Sequence, residues 1–489
     1  MPKPKPRPPA PPQVIAAFRL QAAGHVAEAE AAYRAVLAAE PGQIEALDML
    51  AQLCRARGEL GEALKFWAAL MKCARGSAEA ASNHGLVLNE LGRPAEALAS
   101  FDRALILRPD FVPAHYNRGN ALLSLDRFEE ALRSYERAVA LDPHHVDAWY
   151  NRGNALRELR RHDAALDSYA RALALAPERT DIHVNEALTL LRIGKLREGF
   201  ALYEWRPSRP QSGLPGQQWR GDTPIAGKTI YLQAEQGFGD TLQFIRYAPL
   251  LAARGAQVVA GMPAPLKPLI ATMESVSALT DGDALQPCDF HCAIMSLPHA
   301  FGTELATIPA NVPYLHAAPD RIAHWSSRLP ATENRRVGLV WAGSTGFAGD
   351  RRRSLPFAAL AGLLATPGVS FVGLQRDVSA HDLPAVGAAH NFVNIGTELR
   401  DFADTAAVVS QLDLVIGVDT AVVHLAGAMA RPVWVMLPFS PDFRWLLDRS
   451  DSPWYPSARV FRQSVPGDWA DVIARIGAAL ASPAAGMAP

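Results

Sequence analysis

The stretch "EQGFGD", residues 235–240, places an acid, Asp240, on a turn together with Gln236, Gly237 and Gly239. It joins a short apolar run, Thr229 to Gln233, to an amphipathic segment. Glycines let a strand-to-helix turn stay tight and leave its backbone open to a substrate. Ligands of open parallel sheets lie beyond the carboxyl ends of the strands. Asp240 is therefore expected at a helix start facing a cleft. The turn is neither GxxxxGK[ST] nor GxGxxG, which disfavours a P-loop or a dinucleotide fingerprint.

Two further segments carry chemistry of a complementary kind. "WAGSTGFAGDRRRSLP", residues 341–356, is a Gly- and Ser/Thr-rich loop with Ser344 and Thr345, followed by Arg351, Arg352 and Arg353. Exposed N–H groups, hydroxyls and guanidinium groups suit phosphate oxygens. An arginine run taken alone is a solvated surface; its place after a strand favours the phosphate reading. In "VIGVDTAVVHLAGAMARPVWVML", Asp419 and Thr420 end a strand and open a small-residue helix. Free N–H groups at that helix start, aided by the helix dipole, make an anion site that needs no metal. The bland alternative is an ordinary N-cap by Asp or Thr. His424 alone reads as a core histidine, and its place beside the other two segments favours a ligand role. "CDFHC", residues 288–292, has no second ligand pair and reads as strand and turn rather than a metal site.

Elements must position these three segments. From residue 226 onward short β-branched runs such as "KTIYLQAE", "AQVVAGM", "RRVGLVWAG", "VSFVGLQ" and "DLVIGVD" alternate with helical patterns. That alternation indicates parallel sheets with crossover helices, and its division into two series indicates two lobes. The expected limits are 226–333 for the first lobe and 334–489 for the second. "FRWLLDRSDSPWYP" brings Trp445, Trp454 and Tyr455, expected to pack the seam between lobes, which the last helix, "DWADVIARIGAAL", is expected to close.

The first half is a repeat. Gly85, Gly119 and Gly153 recur every 34 residues, as do Phe101, Tyr135 and Tyr169, and Pro109, Pro143 and Pro177. This register resembles the tetratricopeptide repeat. Small residues let paired helices approach, the aromatic fills the gap between units, and proline stops the second helix, so stacked units bury one continuous core. About six units are expected over 13–206, after a proline-rich, disordered tail at 1–12 and before a Pro/Gly/Gln linker at 207–225. Asn83, Asn117, Asn151 and Asn185 share the period and should project toward a concave groove, where amides can pair with the backbone of an extended peptide. They resemble the asparagine ladder of O-linked N-acetylglucosamine transferases; the alternative is that Asn is simply common at this position.

Taken together, "EQGFGDTLQFIRY", "DFADTAAVVSQLDLVIGVDTAVVHLAGA" and "DSPWYPSARVFRQ" look like bacterial tetratricopeptide proteins carrying a glycosyltransferase domain similar to the lipopolysaccharide heptosyltransferases. The resemblance implies an α-helical TPR solenoid followed by an α/β GT-B-like domain of two Rossmann-like lobes, the acceptor meeting the first and a nucleotide-sugar donor the second. It implies Asp240 as general base, Asp419, Thr420 and His424 as donor-site residues, and Ser344 and Thr345 at phosphate; the loop chemistry above adds Arg351 and Arg353 to the expected donor site. Gln236, Gly237 and Gly239 form the acceptor turn. Metal-independent inverting transfer is the implied chemistry, with the nucleotide sugar as co-substrate and no further cofactor. The first lobe is shorter than in the heptosyltransferases, which puts their acceptor in doubt.

A superhelical groove suits an extended polypeptide, so the expected acceptor is protein Ser or Thr. A glycan or glycolipid acceptor, or a scaffold with an inactive transferase domain, are the competing readings. A net charge of −1 gives no global attraction to nucleic acid or anionic membrane. Apolar stretches break off before a span's length. Four cysteines suit a reducing compartment, and the expected location is the cytoplasm.

Overall fold

The computed structural model describes residues 10–207, 214–281, 287–344, 346 and 349–482. Most of the expected N-terminal tail, part of the linker, and Thr345 lie outside the described residues. The chain divides into two compact units, Met1–Ile182 and His183–Pro489.

The first unit consists of five helix pairs among the described residues, from Pro12–Ala22 with Val26–Ala39 through Val146–Glu158 with His162–Leu175. The repeat register explains the pairing. A Cβ on Gly85 would fall 2.8 Å from the Phe101 ring, and one on Gly119 or Gly153 would fall 2.5 Å from Tyr135 or Tyr169. Only glycine permits that approach, and each ring is fully buried by it. Helices end at Leu107, Leu141 and Leu175, just before Pro109, Pro143 and Pro177, because proline neither donates to nor fits within a continuing helix. The buried tyrosine hydroxyls require partners. Tyr135 donates to Asn120 Oδ1 at 2.8 Å and Tyr169 to Asn154 Oδ1 at 2.9 Å. The unit with Phe101, which has no hydroxyl, carries Leu86 at the corresponding position.

The boundary falls earlier than the expected residue 206. The sixth helix pair, Thr180–Arg192 and Leu196–Leu202, contributes Ala187, Leu191, Leu196, Phe200 and Tyr203 to the core of the second unit. Phe200 stands edge-on to both Phe244 and Phe443, at 6.1 and 6.0 Å.

The second unit holds two parallel sheets. The first comprises β1 (Gln217–Gln218), β2 (Thr229–Gln233), β3 (Gln257–Met262), β4 (Ala278–Asp281) and β5 (Phe290–Ala293), in the order β1-β5-β2-β3-β4. The "CDFHC" segment thus supplies a strand, and β1 comes from the expected linker. The second comprises β6 (Arg335–Val340), β7 (Val369–Gly373), β8 (Phe392–Asn394), β9 (Leu414–Val418), β10 (Val433–Leu437) and β11 (Ala458–Arg462), in the order β11-β10-β9-β6-β7-β8. That is the doubly wound Rossmann order, whose direction reverses between β6 and β9. The first sheet reverses between β2 and β5. Ligands of such sheets bind where the order reverses, and the segments following β2, β6 and β9 are the three singled out above.

The two sheets share one core, with Phe244 edge-on to Trp454 at 5.6 Å. Trp445, Trp454 and Tyr455 are buried in it as expected. The last helix, Trp469–Ala481, does not close the seam. Its Val472, Ile473, Ile476 and Leu480 join Leu360 and Leu363 in a separate cluster with alternate side chains of β6 and β9, such as Val337, Leu339 and Ile416. An amphipathic pattern fixes that a helix buries one face, not which layer receives it.

Candidate functional site

Strand β2 buries its three central residues and delivers the turn at its carboxyl end. Gln236 takes a left-handed conformation, φ 61°. Gly237 then caps the helix Phe238–Phe244, and its N–H donates to Asp240 Oδ2 at 2.8 Å. The carboxylate thus lies in the first helical turn, where the helix dipole favours negative charge.

Gly239 lies where the two lobes pack closely. A Cβ there would fall 3.0 Å from His424 Cδ2 and 3.6 Å from Ala421 Cα. The helix carrying Asp240 therefore packs directly against the helix Ala421–Ala428 that opens after β9. The second lobe also supplies Arg444, whose Nη2 pairs with Asp240 Oδ1 and whose Nη1 lies 2.7 Å from Asp442 Oδ1. Burial pushes the Arg444 guanidinium down, but Asp442, Asp240, Tyr203 and Asp419 together outweigh it and hold it above its ordinary value. Asp240 faces the seam between the lobes and keeps 18% of its side chain exposed.

On the donor side Thr420 occupies the N-cap position, yet its side chain makes no capping hydrogen bond, and Oγ1 is buried without a partner. Thr420 thus holds the N-cap place of the bland reading without the side-chain bond that such a cap makes. The Ala421 and Val422 N–H groups have no intrahelical acceptors, as at any helix start, so an anion can take them.

Asp419 is held by other contacts. Its Oδ1 lies 3.3 Å from His424 Nε2, and its main-chain oxygen accepts from Arg353 Nη1 at 2.8 Å. Burial raises the Asp419 carboxyl, while His424, Trp445 and Arg444 together outweigh it and leave it below its ordinary value. His424 Nδ1 lies 3.0 Å from the Tyr455 hydroxyl, and the ring stacks on Trp445 at 5.3 Å.

Arg353 also donates to Asp350 Oδ1 at 2.9 Å, so it braces the loop after β6 against the end of β9. Arg351 and Ser344 are exposed in that same segment. A side chain at Gly343 would collide with Asp350 and Arg353, its Cβ only 2.2 Å from Asp350 Oδ1.

Three participants escaped the sequence reading. Arg444 is one. The others come from "YEWR", which reads as the end of a repeat. Arg206 makes a buried fork with Glu235, Nε to Oε2 at 2.9 Å and Nη2 to Oε1 at 2.6 Å, and also donates to Ser296 Oγ at 2.8 Å. Burial raises the Glu235 carboxyl despite that pairing. The Tyr203 hydroxyl meets the Gln236 amide, 2.9 Å from Nε2.

The asparagines divide. Asn83 lines a groove of ≈ 650 Å³ with Gln52, Arg55, Trp67 and Glu90. Asn117 is half-buried. Asn151 is engaged within the array, donating to Asn120 Oδ1 at 3.0 Å and accepting from Asn154 Nδ2 at 3.3 Å. Asn185 belongs to the second unit, its main-chain oxygen accepting from Thr189 at 2.8 Å. Among the described residues no cluster of three or more His, Cys, Asp or Glu could hold a metal ion, and no helix is long and apolar enough to cross a membrane.

Helical repeats followed by two parallel-sheet lobes, with strand-end segments meeting at the seam, define a repeat protein with a GT-B-like domain. Residues 82–132 and 116–180 match the tetratricopeptide repeat, and 354–438 match glycosyltransferase family 9 (heptosyltransferase). The chain therefore carries tetratricopeptide repeats and a domain of that glycosyltransferase family. The family match includes Asp419, Thr420 and His424 and stops short of Asp240 and Ser344.

The chain is 29% identical over 324 residues to protein FlbA of Caulobacter vibrioides, an alignment covering 60% of this chain and 54% of that one, so it spans about half of that relative. Among solved structures it is similar to MamA from Desulfovibrio magneticus RS-1, with 26% identity, 34% of this chain and 96% of that chain covered, and a TM-score of 0.32. It is also similar to YrrB, described as a TPR protein with an unusual peptide-binding site, with 21% identity, 36% and 93% covered, and a TM-score of 0.33.

Proposed function

We propose that the chain transfers a sugar from a nucleotide-sugar donor to a hydroxyl of a polypeptide recruited by its repeats. The observation that carries this reading is the seam. Asp240, on the first lobe's turn, stands on a helix packed against the open helix start at Thr420 on the second, with Gly239 making the approach possible.

In the proposed step Asp240 accepts the proton of the acceptor hydroxyl as its oxygen bonds to the anomeric carbon. The bond from that carbon to the diphosphate oxygen breaks with inversion, and its electron pair leaves with the nucleotide. The N–H groups of Ala421 and Val422, the Thr420 hydroxyl, and Ser344, Thr345 and Arg351 would receive the developing charge. Arg353 and His424 would hold the strand end around Asp419. No step in this account requires a metal or a further cofactor.

The groove at Asn83 supports recruitment of an extended polypeptide. The low count of four cysteines agrees with work in a reducing compartment such as the cytoplasm.

The test is to incubate the full chain with a panel of nucleotide sugars, with and without a lysate polypeptide fraction, and to follow released nucleotide and sugar on protein. Wild type should release nucleotide faster with acceptor present, and Asp240→Asn should lose roughly 10²–10⁴-fold of that rate. An Asp240→Asn protein as active as the parent would remove Asp240 as the base. Transfer to free glycans but never to polypeptide would replace the proposed acceptor.

A further inference from the structure

The repeats provide an internal control for one residue. In two successive units the buried tyrosine donates its hydroxyl to an asparagine fifteen positions earlier, Tyr135 to Asn120 and Tyr169 to Asn154. The next tyrosine in register is Tyr203, and the position that should supply its acceptor is Leu188. Leucine accepts nothing. The Tyr203 hydroxyl turns instead to Gln236, at 2.9 Å from Nε2 and 3.2 Å from Oε1.

Three residues later Arg206 grips the preceding turn residue. Its fork with Glu235 is buried; Arg206 also donates to Ser296, Glu204 and the Tyr203 main-chain oxygen, and Glu235 accepts from the main-chain N–H of Met295. Gln236 itself holds a φ of 61°, which a non-glycine residue keeps only where its surroundings over-determine it. Its next neighbour, Gly237, is the residue whose N–H orients Asp240.

We infer that the last repeat has been diverted from the array to the transferase domain, as a clamp that sets the Glu235–Asp240 turn. Tyr203 and Arg206 are its positioning residues. Leu188 is what releases Tyr203 for that use. The inference rests on the proposed role of Asp240, and it adds that the last repeat sets the geometry of transfer while earlier repeats are left to hold the acceptor.

The test uses three full-length variants, Tyr203→Phe, Leu188→Asn and, as a control, Leu188→Met. Tyr203→Phe removes only the hydroxyl. Leu188→Asn leaves Tyr203 in place and offers it the acceptor found in the two earlier units. Both should lower kcat about tenfold with donor KM within about twofold of wild type, while thermal midpoints stay near wild type and Leu188→Met behaves as wild type. Amide hydrogen exchange over residues 235–240 should quicken about tenfold in both. A Tyr203→Phe protein with unchanged kcat and unchanged exchange at the turn overturns the clamp. If wild type releases no nucleotide from any donor, the transferase reading fails, and the exchange measurement still decides the clamp: faster exchange upholds it and unchanged exchange sinks it.

Discussion

Asp240 and Arg444, from different lobes of the second unit, form an ion pair across the seam, with 18% and 10% of their side chains exposed. Arg444 bridges Asp240 and Asp442 and lies 4.3 Å over the face of Phe443. One guanidinium therefore holds the proposed base and braces the segment leading to Trp445. Lysine offers a point charge rather than a fork and cannot reproduce both bonds. Arg444→Lys should cost about 2 kcal/mol, the worth of one charged hydrogen bond. Urea unfolding of Arg444→Lys, Asp240→Asn and the double variant should return a coupling energy above about 1 kcal/mol. Additive effects would mean that the pair does not form in solution.

Gly239 is a steric requirement rather than a conformational one. No left-handed backbone is involved, and the constraint is the 3.0 Å separation between its missing Cβ and His424 Cδ2. His424 cannot simply yield, because Asp419, Tyr455 and Trp445 hold it on several sides. Gly239→Ala should cost about 1–3 kcal/mol and Gly239→Val more, as overpacked cores do. Thermal unfolding checks this. A Gly239→Val protein as stable as the parent would show that the two helices do not meet at this residue.

What was legible in the sequence has a single local cause at each position. The glycine opposite Phe101, Tyr135 or Tyr169 has one steric job, so its period was readable, and proline ends a helix wherever it falls. The turns after β2, β6 and β9 were readable because each leaves an apolar strand for glycine, hydroxyl or acid residues. Arg444 was not, since nothing near it in sequence points to Asp240. The fate of the last repeat was hidden because its helices carry nearly the same register as the others, departing from the two preceding units by Leu188 in place of asparagine and Ala187 in place of glycine. Arg353 follows the same logic: nothing in the sequence of an arginine run tells which member braces Asp350 and the main chain of Asp419. Asn151 meets Asn120 and Asn154 through helix packing that the ladder period does not encode.

Thr420 separates stability from function. Its Oγ1 is buried and unpartnered, so the folded chain gains nothing from the hydroxyl and bears its desolvation. Thr420→Val keeps the shape and removes that burden, and should leave stability unchanged or raise it by up to about 1 kcal/mol. If the hydroxyl receives donor phosphate, the same change should weaken donor affinity about tenfold, equivalent to ~1.4 kcal/mol. Thermal unfolding without ligand and calorimetric titration of the donor nucleotide give the two signs. Lower stability together with unchanged nucleotide affinity would assign the hydroxyl an ordinary structural role.

Asp404 offers a pH test of how the second unit is held together. It is fully buried on the helix Phe402–Val409, where it accepts from Arg400 Nε at 2.8 Å and from Arg321 Nη1 at 2.6 Å, the latter on the helix Pro319–Ser326. Burial raises the carboxyl, but Arg400, Trp325 and Arg321 outweigh it and hold it well below its ordinary value of 3.8. A carboxyl depressed by folding contributes stability above its unfolded pKa and loses it as the pH falls toward the folded one. The contribution should therefore be complete at neutral pH and decline below 3.8, the ordinary value. Asp404→Asn should cost about 3 kcal/mol near pH 7, since it takes the buried carboxylate from Arg321 and Arg400 and leaves Arg321 only the longer contact to Asp401 at 3.4 Å. Urea midpoints of wild type and variant should converge as the pH is taken from neutral to acid. A gap that stays constant, or widens on acidification, would show that Asp404 does not hold these helices through its charge.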